Sequence, residues 1–182
     1  MIARIVAVFF ALLFAGASFA EDSAVLRIRN EYQSIQNALP RLKAESIELS
    51  GYSTEGGEAK AFRDSKGNIR LIKVQLYFES GKVFEEFYYE NDALIFAFYQ
   101  SHRYNVPFYV TPKTAKEIGG ESFDPKKTTI TEDRYYFDKG RMIRWLNENQ
   151  IAVTPDGKEF KDSEKEILET SNEMLSKFKR KT

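Results

Sequence analysis

Residues 69–102 constrain this chain more tightly than any other segment. Apolar, β-branched and aromatic side chains recur there at alternate positions, and two turn signals, Ser80-Gly81 and Asn91-Asp92, divide the run. Treating each pair as a two-residue hairpin loop sets Phe78 opposite Val83, Leu76 opposite Glu85 and Val74 opposite Phe87. Across the second loop it sets Tyr89 opposite Leu94, Phe87 opposite Phe96 and Glu85 opposite Phe98. Facing residues share a side of a sheet, so the two registers test each other. They agree: Ile72, Val74, Leu76, Phe78, Val83, Phe87, Tyr89, Leu94, Phe96 and Phe98 fall on one face. A slip of one residue would scatter them. The segment is therefore expected to be a three-stranded antiparallel meander. Its other face carries Tyr77, Phe84, Tyr88, Ile95 and Tyr99 among Lys73, Gln75, Glu86 and Ser101. Such a face is either covered by another element or open to a partner.

The flanking segments extend this sheet. A strand over 58–64 joins through a Ser65–Asn68 turn, after a small, polar loop at Gly51–Gly57. Residues 105–129 read as irregular, broken by Pro107, Pro112, Gly119-Gly120 and Pro125, and a last hairpin pairs Asp133–Phe137 with Arg141–Leu146 through Asp138-Lys139-Gly140. Gly140 follows an acidic residue and a lysine much as Gly67 does, which hints at a hairpin repeat. Any meander of similar strand lengths also gives such spacing. At the N-terminal side, Val25, Ile28, Tyr32, Ile35, Leu39 and Leu42 form one helical stripe. Pro40 lacks an amide hydrogen and crowds the preceding turn, so this helix should end near Ala38. A C-terminal helix, capped at Asp162-Ser163, carries Ile167, Leu168, Ser171, Met174, Leu175 and Phe178 on one side and ends near Lys179. The fold class that follows is α+β: an antiparallel β-meander of five or six strands flanked by N- and C-terminal amphipathic helices.

The N-terminus has a different character. Arg4, an apolar run from Ile5 to Ala17 and Ser18-Phe19-Ala20 have the form of a secretory signal peptide, with cleavage after Ala20. The apolar run is shorter than the ~20 residues a membrane-spanning helix needs. A retained N-terminal tether is the alternative. The expected mature protein is one domain, residues 21–182, with no stable membrane anchor, in a bacterial periplasm or secreted. The chain has no cysteine, so neither a disulfide nor lipidation at Glu21 is available, and the fold must rest on its core. Of 27 basic and 27 acidic residues, only Arg4 lies in the leader. A nucleic-acid binder shows a basic excess or stripe, and here the cluster Lys177, Lys179, Arg180 and Lys181 instead complements the dipole of the last helix. No nucleic-acid partner is expected.

Several runs together carry a resemblance: Ser53-Thr54-Glu55-Gly56-Gly57-Glu58, Glu85-Glu86-Phe87-Tyr88-Tyr89-Glu90, Leu94-Ile95-Phe96, Tyr104-Asn105-Val106-Pro107, Arg134-Tyr135-Tyr136-Phe137 and Met142-Ile143-Arg144-Trp145. With these, the chain resembles an uncharacterised family of small exported bacterial proteins. The resemblance covers most of the mature chain and implies export and a single domain. It implies no activity.

Catalytic and cofactor motifs are sparse. His102 is the one histidine, and Ser101 beside it points to the opposite sheet face, so the two make no nucleophile–base pair. With no cysteine and one histidine no metal site is expected, Asp64–Asn68 reads as a turn, and no glycine-rich phosphate loop suggests a cofactor. Glu85 is a candidate general acid, because the register above sets it among apolar neighbours, where desolvation raises a carboxyl pKa. Pairing with Arg103, Arg134 or Arg144 is the structural alternative. Tyr77, Phe84, Tyr88 and Tyr99, with Arg144 and Trp145, are candidate binding residues, since Tyr, Trp and Arg concentrate at interface hot spots. An aromatic stripe at strand spacing is also what core beneath a helix looks like. The functional expectation is a non-enzymatic binding module for a protein, peptide or envelope component. An envelope hydrolase using Glu85 is the alternative.

Overall fold

The computed structural model describes residues 3–179, with side chains described from Glu21 onward. The cleavage site read at Ser18–Ala20 lies outside the described side chains, and Arg180 and Lys181 lie outside the described residues.

Seven strands pair in chain order as one antiparallel meander: β1 (Lys43–Glu48), β2 (Gly57–Arg63), β3 (Ile69–Phe78), β4 (Gly81–Glu90), β5 (Ala93–Arg103), β6 (Thr129–Asp138) and β7 (Arg141–Leu146). The expected five or six strands are thus corrected to seven. The strand that sequence patterning missed is β1, Lys-Ala-Glu-Ser-Ile-Glu. It lies at the sheet edge, where charge protects unpaired backbone groups and little apolar alternation remains to be read.

The registers differ from expectation in two ways. Phe78 faces Gly81 and Leu76 faces Val83, so the β3–β4 loop is Glu79-Ser80, and the pairing is shifted by two residues with the faces unchanged. Gly81 is needed inside the strand rather than in the turn: a Cβ there would lie 2.2 Å from the His102 carbonyl oxygen of β5. The second difference changes faces. Tyr89 faces Leu94 as expected, but Tyr88 faces Phe96, Phe87 faces Ala97 and Glu85 faces Tyr99. Ile95 is an extra residue, a β-bulge, and everything beyond it in β5 turns over. Phe96 and Phe98 therefore join the face of Tyr88, while Tyr99 joins that of Phe87.

Arg70 in β3 and Ile143 in β7 are extra residues of the same kind, at the steps opposite Phe62–Arg63 and Tyr136–Phe137. All three bulges follow closely on a turn at one end of the sheet. At the middle turn, Asn91 and Asp92 both take positive φ, 50° and 63°, as a two-residue turn matched to strand twist requires.

Helices cover both faces. α1 (Ala3–Ala38) ends where Pro40 predicts and continues as a tight turn over Leu39–Arg41. Its Val25, Ile28 and Ile35 are buried with Phe62, Leu71, Tyr88, Ile95, Phe96 and Tyr136. α3 (Lys158–Lys179) closes the other face, burying Phe160, Met174, Leu175 and Phe178 against Ala59, Ala61, Ile72, Val74, Phe87, Tyr89 and Phe137. Each large apolar side chain fully buried this way contributes roughly 1.5–3 kcal/mol. α3 begins at Lys158, before the expected cap, and Asp162 lies within it, paired with Lys158 at 2.5 Å. The segment read as irregular holds α2 (Pro112–Ile118). Pro112 starts it after a Thr111 cap, and Gly119, at φ 71°, ends it.

The close approach at Gly81 makes a direct test. Gly81→Ala should destabilise the fold by about 1–3 kcal/mol in urea melts, as overpacking does. Gly120→Ala, where a Cβ meets nothing nearer than 3.7 Å, should be almost silent. Equal effects from the two would contradict the β4–β5 approach.

Candidate functional site

The sheet's cross-strand rows build the site. Val74 faces Glu85, Glu85 faces Tyr99, and Tyr99 faces Asp133, so four strands place these side chains in one line on the α3 face. Glu166 and Ile167 of α3 complete a cleft of about 270 Å3 over this row, walled by Phe87, Tyr99 and Tyr135. Three carboxylates thus share one opening, and no lysine or arginine lines it.

Their environments differ. Among the described residues, nothing hydrogen-bonds to Glu85 or pairs with it in an ion pair. Burial, with Glu166 nearby, pushes its carboxyl up from 4.5 to about 7. Asp133 is also raised by burial, though Trp145 opposes this by donating its indole N–H to Oδ1 at 2.7 Å. Trp145 in turn packs on Tyr135, ring centroids 5.4 Å apart, in the buried layer behind the cleft. The Tyr99 hydroxyl is shifted up by burial and by the Glu85 charge. Glu166 is exposed at the rim. A cleft so arranged can take a positive charge, share a proton among carboxylates, or donate one from Glu85. Among the described residues, no group of three or more His, Asp or Glu side chains is placed to hold a metal ion.

The six aromatic and cationic residues expected to form a binding face are not gathered on one surface. Tyr88 is fully buried beneath α1, bonded to Gln36 and Glu86. The Ile95 bulge carries Tyr99 to the opposite face, and Trp145 is buried there behind Asp133. Arg144 binds Glu21 and Asp22 of α1 at 2.9 Å. Tyr77 and Phe84 alone remain together near the open end of the α1 face, Tyr77 exposed and Phe84 half-buried. His102 lies beside Phe84, its ring 5.3 Å away and its Nε2 2.8 Å from Gln100 Oε1. Burial and Lys82 lower the His102 pKa. Among the described residues, no nucleophile–histidine–acid set forms around it.

Asp133 and Glu166 went unread in the sequence. Asp133 stood at the start of a recognised strand, but only the bulge brings that strand's phase into line with Glu85. Glu166 sits on a helix whose start was placed too late, and its rotation about the axis is settled only by packing. A scan against protein-family models, a search of curated proteins and a search of solved structures each return no match to this chain. Among the described residues, no helix is long and apolar enough to cross a membrane.

The raised carboxyl gives stability a definite pH dependence. Between about pH 4.5 and pH 7 the folded chain holds a proton on Glu85 that the unfolded chain has lost. Stability therefore falls as pH rises through that window, by at most on the order of 3 kcal/mol from this residue, and is level above it. Glu85→Gln should raise the melting temperature near pH 8 and change it little near pH 4. The same shift at both pH values would show that Glu85 is not desolvated.

Proposed function

We propose that the protein is a non-catalytic binding module of the bacterial envelope that takes an organic cation, an ammonium or guanidinium group, in the cleft under α3. The observation that carries this reading is the gathering of Glu85, Asp133 and Glu166 in one opening without a basic lining residue. Carboxylates left together in a partly desolvated site repel one another, and a ligand cation relieves that repulsion while gaining charge-assisted hydrogen bonds. Tyr99 and Tyr135 offer ring surface to the same group. The envelope location rests on the leader-like N-terminus and on a core that manages without disulfides.

A second reading has a specific observation behind it. A carboxyl held at about 7 beside other carboxylates is the arrangement that glycoside hydrolysis uses, one acid protonated and another ionised. In that reading Glu85 is the general acid of an envelope hydrolase, and Asp133 or Glu166 is its partner.

Titration calorimetry with agmatine and putrescine, against neutral butanol, separates the two. Cation binding should strengthen from about pH 6 to pH 8 as Glu85 loses its proton, and should weaken roughly tenfold in Glu85→Gln or Glu166→Gln. Affinity that ignores both substitutions would remove the cleft from the binding reading. Hydrolysis of an envelope oligosaccharide by the native chain, lost in Glu85→Gln with the fold intact, would replace that reading with the second.

A further inference from the structure

Each residue of the acidic row has a neighbour in sequence that points the other way, and those neighbours build a second groove. Lys73 faces Glu86, Glu86 faces Phe98, and Phe98 faces Arg134, one row on the α1 face. With Arg29 of α1 this row borders an opening of about 440 Å3, floored by Phe96, Phe98 and Tyr136. Three cations and one carboxylate line it, the reverse of the α3 side.

The state of those cations says what the groove suits. Lys73 is neutralised by Glu86 at 2.6 Å. The Nη2 of Arg134 is engaged by Glu132 at 2.7 Å, and its guanidinium lies over Phe98, 5.2 Å from the ring centre. Its Nη1, however, is buried with no hydrogen-bond partner, the one such side-chain atom among the described residues. An orphaned donor on a charged group is costly until an acceptor reaches it. Arg29 lies 5.8 Å from the Tyr136 ring centre and makes no ion pair among the described residues. One guanidinium is thus unengaged and a second only half engaged, beside an aromatic floor.

We propose that this groove binds the carboxylate of an amphipathic organic acid between Arg29 and Arg134, with the acid's apolar body against Phe96, Phe98 and Tyr136. The Arg134 side chain is 28% exposed and lines the groove, so a ligand there lies against its guanidinium. Partial neutralisation by Glu132 and Glu86 leaves room for one negative charge better than for two, which favours a carboxylate over a phosphate dianion. The site is independent of the cleft under α3, and stands whether or not that cleft binds cations.

The test is a binding titration of the purified protein followed by NMR, with 2-naphthoate as probe, 2-naphthamide as its uncharged counterpart and inorganic phosphate as the bare anion. Naphthoate should shift the aromatic resonances of Phe96, Phe98 and Tyr136 saturably, naphthamide and phosphate should do so far less, and Glu85→Gln should leave the titration unchanged. Arg134→Gln and Arg29→Gln should each weaken binding roughly tenfold. Arg29 is exposed, so its substitution tests the groove without risk to the fold. Naphthoate affinity unaltered by Arg29→Gln and Arg134→Gln, equal affinity for naphthamide, or no saturable shift would each overturn the proposal.

Discussion

Ile95 is one residue more than β5 needs to keep step with β4, and the layering of the molecule depends on that residue. Side chains alternate strictly along a strand, so an extra residue inverts every position beyond it. Without the bulge, Phe96 and Phe98 would lie under α3 and Tyr99 under α1. The cluster of Phe96 with Tyr32, Tyr88 and Tyr136, whose ring centroids lie 5.1–5.6 Å from that of Phe96, would have no centre. Glu85 would face Phe98 instead of Tyr99, and the acidic row would be broken. Arg70 and Ile143 do for their own hairpins what Ile95 does for β5. Each bulge sharpens the local twist, and each lies toward the end of the sheet where the helices dock.

That end is marked by the contacts of the helices themselves. α1 reaches Glu90 and Asp138 through Arg27, and Arg70 through Glu31. α3 reaches Met142 through Glu164, Tyr89 through Ser171 and Asp92 through Lys179. A ten-residue strand runs ~33 Å, whereas a helix with its side chains is about 10–12 Å across. One helix per face therefore cannot cover the full length of β4, β5 and β6. Phe87 and Tyr88 are buried, whereas Glu85 and Glu86 lie at the margin of cover. Both grooves lie at this margin. A charge placed there is desolvated enough to be sensitive to its neighbours, yet remains within reach of solvent and ligand.

Much of the frame was legible before any coordinates. The turn at Asn91-Asp92, the stripe Val25–Ile28–Ile35 and the helical side Met174–Leu175–Phe178 are patterns of spacing, and local spacing is what a sequence displays. The two helices, the antiparallel meander and the stop at Pro40 follow from it. A bulge is not local in this sense: Ile95 looks like any strand residue, and it is extra only relative to a partner. The expected face was internally consistent because two in-register hairpins always are, so agreement between the registers could not reveal the bulge. Gly81 misled for a related reason. Glycine marks turns by its freedom at positive φ, but here it marks the approach of the His102 carbonyl, a contact 21 positions away along the chain. Glu85 was picked out for a local reason, an acid among apolar neighbours. The company it keeps, Asp133 and Glu166, depended on the bulge and on the rotation of α3.

The alternation that hid those partners also explains why charge is sorted across the sheet. Glu85 and Glu86 are adjacent, as are Asp133 and Arg134, and each pair sends one member to each side. Glu86 meets Lys73 within hydrogen-bond distance, and Arg134 meets Glu132, so the α1 side is largely compensated and left with a surplus of donors. On the α3 side the row continues from Glu85 through Val74 to Ala59, which offer no counter-charge, and Asp133 accepts from the Trp145 indole. A neutral donor stabilises a carboxylate less than a cation does. The α3 cleft is therefore left with uncompensated negative charge and the α1 groove with unused positive donors, separated by a single sheet. Val74 is itself buried in the core under α3, so a cation could not stand there without overpacking and desolvation costs of its own. Glu85 is therefore left without a counter-charge among the described residues.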